Sequence, residues 1–286
     1  MPVMSIIACG MLEDELAYVL SEDQDLKQLI IVENRQCFSL LQKFRSENCQ
    51  PWIAPLDRVA FLLNGTQSSL LMKLISPLKR FPVFGQIHQK MEDEGRRNVT
   101  VVVNMLKIAL HTDIEILKSE VYRNIEEMAG FSDGILIFYG TCGHSLGNLE
   151  TDFKELDCSL YFLKDSNGEN VEDCISAALG GNDAYAETML SNRGVGTIYL
   201  TPMWASSWDE MEKEGFKSSE FDIKTLNGPR YSRLAMIHTE ISRDPDFHKN
   251  VLKLARKFDM EIVDIKGNAE IARDSYLNAK NDICRK

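Results

Sequence analysis

The sequence lacks an apolar run long enough to cross a membrane. Its most apolar stretch, Val101 to Leu110, is interrupted by Asn104 and Lys107, whereas a spanning helix needs about 18 or more apolar residues. The first five residues also lack the basic start and the apolar core of a secretory signal peptide. These absences predict a cytoplasmic protein with no membrane partner.

Positive charge is also scarce. The chain has 32 Lys and Arg against 43 Asp and Glu, for a formal net charge of −11. Nucleic-acid binders usually carry basic surface that displaces counterions from phosphates, so this balance argues against a nucleic-acid partner. Apolar residues make up 44% of the 286 residues, which is ordinary for a globular protein and argues against disorder across the whole chain.

Several common site motifs are missing. The sequence contains no CxxC, HExxH or GxGxxG motif, and the glycine-rich segment 140–147 lacks the Lys-Ser/Thr ending of a phosphate loop. Its seven cysteines are an odd number. With no export signal, we expect them to be reduced, as cysteines in the cytoplasm generally are.

What the sequence does contain is a regular alternation of strand-like and helix-like segments. Short apolar runs occur at residues 5–8, 29–32, 52–54, 101–103, 134–139, 159–163, 197–200, 234–237 and 262–265. This alternation predicts βαβ units in a single α/β domain over residues 1–286. We expect a mostly parallel, Rossmann-like sheet with helices on both faces. Residues 57–98 break the pattern and are interpreted as an irregular or helical insertion.

Three helix starts can be assigned from capping residues. Thr112 and Glu115 have the spacing of a capping box, and Asp244-Pro245 is a strong helix start. A third helix opens over residues 170–174 and can end at the following Gly180-Gly181 pair. A Cys-Gly pair also ends two predicted strands, at Cys9 and at Cys142, which is compatible with two related halves.

Reactive side chains gather at one edge of the predicted sheet. Parallel α/β sheets bind ligands at the carboxyl ends of their strands. Cys9 and Cys142 follow strands, His111 lies between a strand and a helix, and Cys174 lies in the first turn of a helix. Thiolates and a neutral imidazole are typical zinc ligands, and they also suit iron or cobalt. We therefore predict a metal site, with zinc as the first candidate, formed by Cys9, His111, Cys142 and Cys174.

Other interpretations of these residues stay open. Cys142 or Cys9 could be the nucleophile of an enzyme without metal, and each cysteine could simply pack in the core, as free cysteines often do. Gly10 and Gly143 would allow a ligand to approach the backbone, and Trp204 could line a cleft. The remaining cysteines are predicted to be structural: Cys37, Cys49, Cys158 and Cys284.

Five segments occur in an order that resembles a known family. They are IIACGMLEDE (6–15), ALH (109–111), LIFYGTCG (136–143), DCI (173–175) with LGG (179–181), and GTIYLTPMW (196–204). Together they resemble the uncharacterised family catalogued as domain of unknown function 1638. The resemblance implies an origin in anaerobic bacteria or methanogenic archaea. It also implies a link to corrinoid-dependent methyl transfer, with a corrinoid cofactor or a corrinoid protein or methyltransferase as partner.

Overall fold

The first sheet is built from strands that are apolar on both faces. Every residue of the strands Val3–Cys9, Val99–Leu106 and Gly134–Phe138 is buried, as expected for β-branched and aliphatic runs covered by helices on both sides. The structure, a computed structural model, describes residues 1–44, 50–66, 98–108, 110–214, 231–241 and 244–285. Cys49 and residues 67–97 of the predicted insertion therefore lie outside the described residues, whereas residues 57–66 are helical.

All nine predicted strands are confirmed, with ends shifted by up to three residues. They are β1 (Val3–Cys9), β2 (Leu26–Val32), β3 (Trp52–Ala54), β4 (Val99–Leu106), β5 (Gly134–Phe138), β6 (Ser159–Phe162), β7 (Gly196–Leu200), β8 (Tyr231–His238) and β9 (Glu261–Lys266). The first six form one parallel sheet in the order β3-β2-β4-β1-β5-β6. This arrangement confirms a Rossmann-like α/β fold.

The last three strands form a second parallel sheet, in the order β7-β8-β9. The sequence indicated these strands but not their separation from the first six, because periodicity along the chain does not specify which strands pair. Both Cys-Gly pairs lie at the carboxyl ends of strands of the first sheet. These two strands, β1 and β5, are neighbours in that sheet.

The described helices lie between these strands, except the last helix, which follows β9. They are α1 (Glu13–Glu22), α2 (Cys37–Lys43), α3 (Leu56–Thr66), α4 (Ile114–Ala129), α5 (Leu149–Asp152), α6 (Cys174–Leu179), α7 (Asn182–Ser191), α8 (Pro202–Glu214), α9 (Phe247–Phe258) and α10 (Glu270–Arg285). None of the helices in the described part of the chain is long and apolar enough to cross a membrane.

Two of the predicted helix starts are displaced. The Thr112 capping box is wrong: Thr112 belongs to a 3-10 turn, and Asp113 caps α4 by accepting from the Ile116 amide at 3.1 Å. Asp244 does not begin α9 directly, because its side chain accepts from the Asp246 amide at 2.9 Å and forms a turn before the helix. In both cases an Asp side chain can accept from more than one nearby backbone amide. The spacing of residues alone does not show which of these hydrogen bonds forms.

The order of the strands contains a point at the carboxyl edge where the direction of the connections reverses. β1 and β5 are adjacent, with Ala8 opposite Phe138 in register. The chain leaves β1 toward β2 on one side and leaves β5 toward β6 on the other. A pair of neighbouring strands whose connections diverge in this way is where open α/β sheets bind ligands.

Candidate functional site

Three cysteines from distant parts of the chain come together at this edge. Cys9 is the last residue of β1, Cys142 follows β5 by four residues, and Cys174 is the first residue of α6. The three are close enough that the charge of Cys9 acts on Cys142 and Cys174, and that of Cys142 acts on Cys174. The structure thus brings together three of the four predicted ligands.

Gly140 is what allows Cys142 to lie near Cys174. A Cβ atom at position 140 would lie 2.5 Å from the Cα atom and 2.6 Å from the amide nitrogen of Asp173. The loop after β5 is also tied to the segment before α6, because the Cys142 amide donates to the Glu172 carbonyl at 2.7 Å. Asp173 in turn caps α6 and fixes Cys174 at its first position, accepting from two backbone amides at 2.8 and 2.9 Å.

Gly10 makes a similar close contact on the other side of Cys9. A Cβ atom there would lie 2.8 Å from the Ile108 side chain and 3.3 Å from the Leu106 carbonyl oxygen. The end of β1 therefore packs against the segment that leads from β4 to His111. Gly10 is buried in this close packing. Gly143, by contrast, is exposed and has open space around it.

The Cys142 loop has an unusual backbone. Cys142, Gly143 and His144 have φ angles of 45°, 68° and 67°, a left-handed region that is unfavourable for residues other than glycine. The loop is held by hydrogen bonds, among them one from the Ser145 hydroxyl to the Cys142 carbonyl at 2.9 Å. Non-glycine residues in this conformation occur preferentially at functional sites. The His144 side chain itself is exposed.

Trp204 connects the cysteines to His111. Its indole Nε1 donates to the Cys174 sulfur at 3.2 Å, and its ring centroid lies 5.5 Å from that of His111. Burial lowers the pKa of His111, which favours the neutral imidazole that can accept a hydrogen bond or bind a metal. The fourth predicted ligand is therefore joined to the cysteines through Trp204.

The electrostatic surroundings favour protonated thiols. Burial raises the pKa of Cys9 to about 11, although nearby backbone amides and Tyr139 act in the opposite direction. Burial, the neighbouring thiols and Asp173 also raise the pKa values of Cys142 and Cys174. Among the described residues, the charged groups that act most strongly on these thiols are acidic or thiol groups, and none is a Lys or Arg.

Sequence reasoning missed Tyr139, which directly follows β5. Its hydroxyl is buried, has no hydrogen-bond partner of normal geometry and interacts with Cys9. Burial and the three thiols raise the pKa of Tyr139. The signal was present in the sequence, because Tyr139 lies at the end of a buried strand where ligand-facing residues are expected.

The described residues contain no ready-made metal cage. No group of three or more His, Cys, Asp or Glu side chains in the described ranges is placed so that it could hold a metal ion. The six cysteines that the structure describes form no disulfide with one another, and three lie outside this site: Cys37, Cys158 and Cys284. The arrangement is thus a cluster of protonated thiols with one neutral imidazole nearby.

A sequence model of the family described as "Protein of unknown function (DUF1638)" matches residues 105–276. Because this match covers more than half of the chain, the protein belongs to that family. The matched region includes His111, Cys142, Cys174 and Trp204, whereas Cys9 and Gly10 precede it. No curated protein and no solved structure matches the chain.

Proposed function

We propose that this member of the DUF1638 family binds a thiophilic metal ion, with zinc as the simplest candidate. Cys9, Cys142 and Cys174 would supply thiolates and His111 a neutral imidazole. The observation that carries the proposal is the convergence of three thiols from separate segments, two buried and one partly buried, without a basic partner. A cation that replaces their protons would supply the positive charge that these thiols lack.

The chemical types of the donors suit such an ion. Sulfur and imidazole nitrogen are the usual zinc ligands. The indole N–H of Trp204 is only a donor, so its contact with the Cys174 sulfur favours the thiolate form. The Tyr139 hydroxyl is a second donor, and it would favour the thiolate of Cys9 in the same way. Since the described side chains do not already enclose an ion, we expect binding to change their positions.

When bound, the ion would lower the pKa of a coordinated thiol or act as a Lewis acid on a substrate. Following the family resemblance, we propose activation of a thiol or methyl acceptor as the reaction to test. A corrinoid would be the alternative metal-containing cofactor. The chain's own residues would hold the site closed to water, because Cys9 and Cys174 are buried. The free thiols fit a reducing compartment, and we propose the cytoplasm.

Metal analysis tests the proposal directly. Protein purified without oxygen is expected to contain close to one metal equivalent, and Cys142→Ser is expected to lose most of it. Cys158→Ser is the control, because Cys158 is a buried cysteine that is not part of the site. A folded wild-type protein that takes up no zinc, iron or cobalt would refute the proposal.

The sequence left two other functions open, and the pKa shifts and single substitutions of these cysteines distinguish them from metal binding. A metal-free thiol enzyme needs a thiol with a low pKa, and the raised pKa values of all three cysteines argue against it. A non-catalytic partner of a methyltransferase or corrinoid protein would use these cysteines only for packing. In that case single substitutions would lower stability but leave capture of such a partner unchanged.

A further inference from the structure

A cleft lies near the segments that lead to His111 and Trp204. It is bounded by α1 and α2 on one side and by α8 and the segment after β8 on the other, with a volume of about 740 Å³. Pockets for small molecules typically measure about 300–1,000 Å³. The cleft thus has the size of a metabolite site, and its lining includes Ile108 and Met203, which flank the His111 and Trp204 segments.

The charges of this cleft are predominantly negative. Five carboxylates and two basic side chains line it. Lys43 is already engaged, with its amine 3.1 Å from a Glu13 oxygen and 2.8 Å from Asp14 Oδ1. The other basic group, Arg35, lies 3.7 Å from Glu210 on the opposite wall. Both cations are therefore compensated by carboxylates, and negative charge remains.

Asp14 carries an acceptor that the protein does not use. Its side chain is 9% exposed, and its Oδ2 is buried without a hydrogen-bond partner. An unpaired buried carboxylate oxygen is unfavourable, since it loses water without gaining a donor. The negative charge of Asp14 also acts on Glu15. The pKa of Glu15 is raised to about 7, with burial as the largest cause and Asp14 as the second. Lys43 thus leaves part of the Asp14 charge uncompensated.

We propose that this cleft binds a small molecule that carries a protonated amine or amidine, and that the Asp14 side chain turns on binding so that its covered Oδ2 accepts a hydrogen bond from the ligand. A cationic donor would satisfy the free oxygen and the excess negative charge together. Hydroxyl groups of Ser39, Ser206 and Ser207 line the same cleft and would contact polar parts of the ligand. This proposal does not depend on metal binding at the cysteines.

A charge series on the wild-type protein tests the ligand class. We would titrate butylamine and agmatine, with 1-butanol as the neutral analogue and butyrate as the anionic one, using ligand-observed NMR. Both amines are expected to bind saturably. The alcohol is expected to bind at least about tenfold more weakly, because a hydrogen bond to a charged group contributes about 1.5–3 kcal/mol. Absence of saturable amine binding, or equal binding of butyrate, overturns the proposal.

Variants then locate the site. Asp14→Asn keeps the shape but removes the charge, and it is expected to weaken amine binding about tenfold or more. Asp157→Asn makes the same change at an exposed position outside the cleft and should leave binding unchanged. A folded Asp14→Asn protein with wild-type amine affinity contradicts the proposal. Cys142→Ser should bind amines as the wild type does, which separates this result from that of the metal experiment.

Discussion

The indole nitrogen of Trp204 donates to the sulfur of Cys174, 30 residues earlier in the chain, at 3.2 Å. This bond joins α8, which follows β7 of the second sheet, to α6, which begins beside the carboxyl edge of the first sheet. Trp204 also contacts the His111 ring. One side chain therefore connects the imidazole and the thiols of the candidate site.

Trp204→Phe removes this donor and keeps an aromatic ring. We expect the free energy of unfolding to fall by about 1 kcal/mol, the usual net contribution of one hydrogen bond. Metal affinity should fall about 10-fold or more, as when other groups that orient ligands are removed. Urea unfolding and competition with a zinc chelator measure the two effects. Trp52→Phe, at a position 48% exposed, should change neither, and a wild-type affinity in Trp204→Phe would contradict the assigned role.

The metal-free protein should lose stability at high pH. Burial raises the pKa of Cys9 from 9.0 to about 11, so the folded state keeps a proton that the unfolded state releases between these values. The stabilisation is complete below pH 9 and disappears as the pH rises through 11. At about 1.4 kcal/mol per pKa unit, Cys9 alone accounts for roughly 2–3 kcal/mol.

Unfolding by urea at pH 8 and pH 11 measures this loss in the wild type and in Cys9→Ser. Cys9→Ser should show a smaller decrease than the wild type, and an equal decrease would contradict the contribution of Cys9. In parallel, iodoacetamide should react slowly with the folded protein at pH 7.5 and rapidly after unfolding. Fast alkylation of Cys9 or Cys142 in the folded protein would instead favour the metal-free thiol enzyme.

Gly140→Ala should separate Cys142 from Cys174. The added methyl group would lie 2.5 Å from the Asp173 backbone, and backbone atoms cannot move aside as a flexible side chain can. Overpacking of this kind typically costs about 1–3 kcal/mol, and metal uptake should decrease as well. Gly130→Ala is the matched control, because nothing lies within 4 Å of its added atom and its φ of −65° is helical. Equal stability of the two variants would show that the close approach is unimportant.

The Glu15→Gln substitution should raise the free energy of unfolding, and by more at high pH than at low pH. Burial raises the pKa of Glu15 from 4.5 to about 7, so the folded state favours the protonated acid. The wild type therefore loses stability as the pH rises from 4.5 through 7, by up to about 3 kcal/mol. Glutamine does not ionise and avoids this loss. The difference in unfolding free energy between variant and wild type should grow from pH 5 to pH 8, whereas that of the exposed Glu126→Gln should stay constant.

The sequence by itself determined the nine strands and the edge at which the cysteines lie. Runs such as Val101-Val102-Val103 form strands because their side chains suit a pleat buried on both faces. Cys9 and Cys142 follow such strands, so the direction of a parallel sheet brings them to one edge. These features depend on residues close together in the chain, and the pattern of neighbouring residues is sufficient to predict them.

Only the tertiary structure decided which groups meet. It separated β7, β8 and β9 into a second sheet, set the unpaired Tyr139 hydroxyl beside Cys9, and left Asp14 Oδ2 without a donor in the cleft. It also showed that Asp113, and not the predicted Thr112, caps α4. Except for this local choice of cap, these outcomes depend on contacts between residues far apart in the chain. The local spacing of residues contains no information about such contacts, because they form only when the sheets and helices pack together.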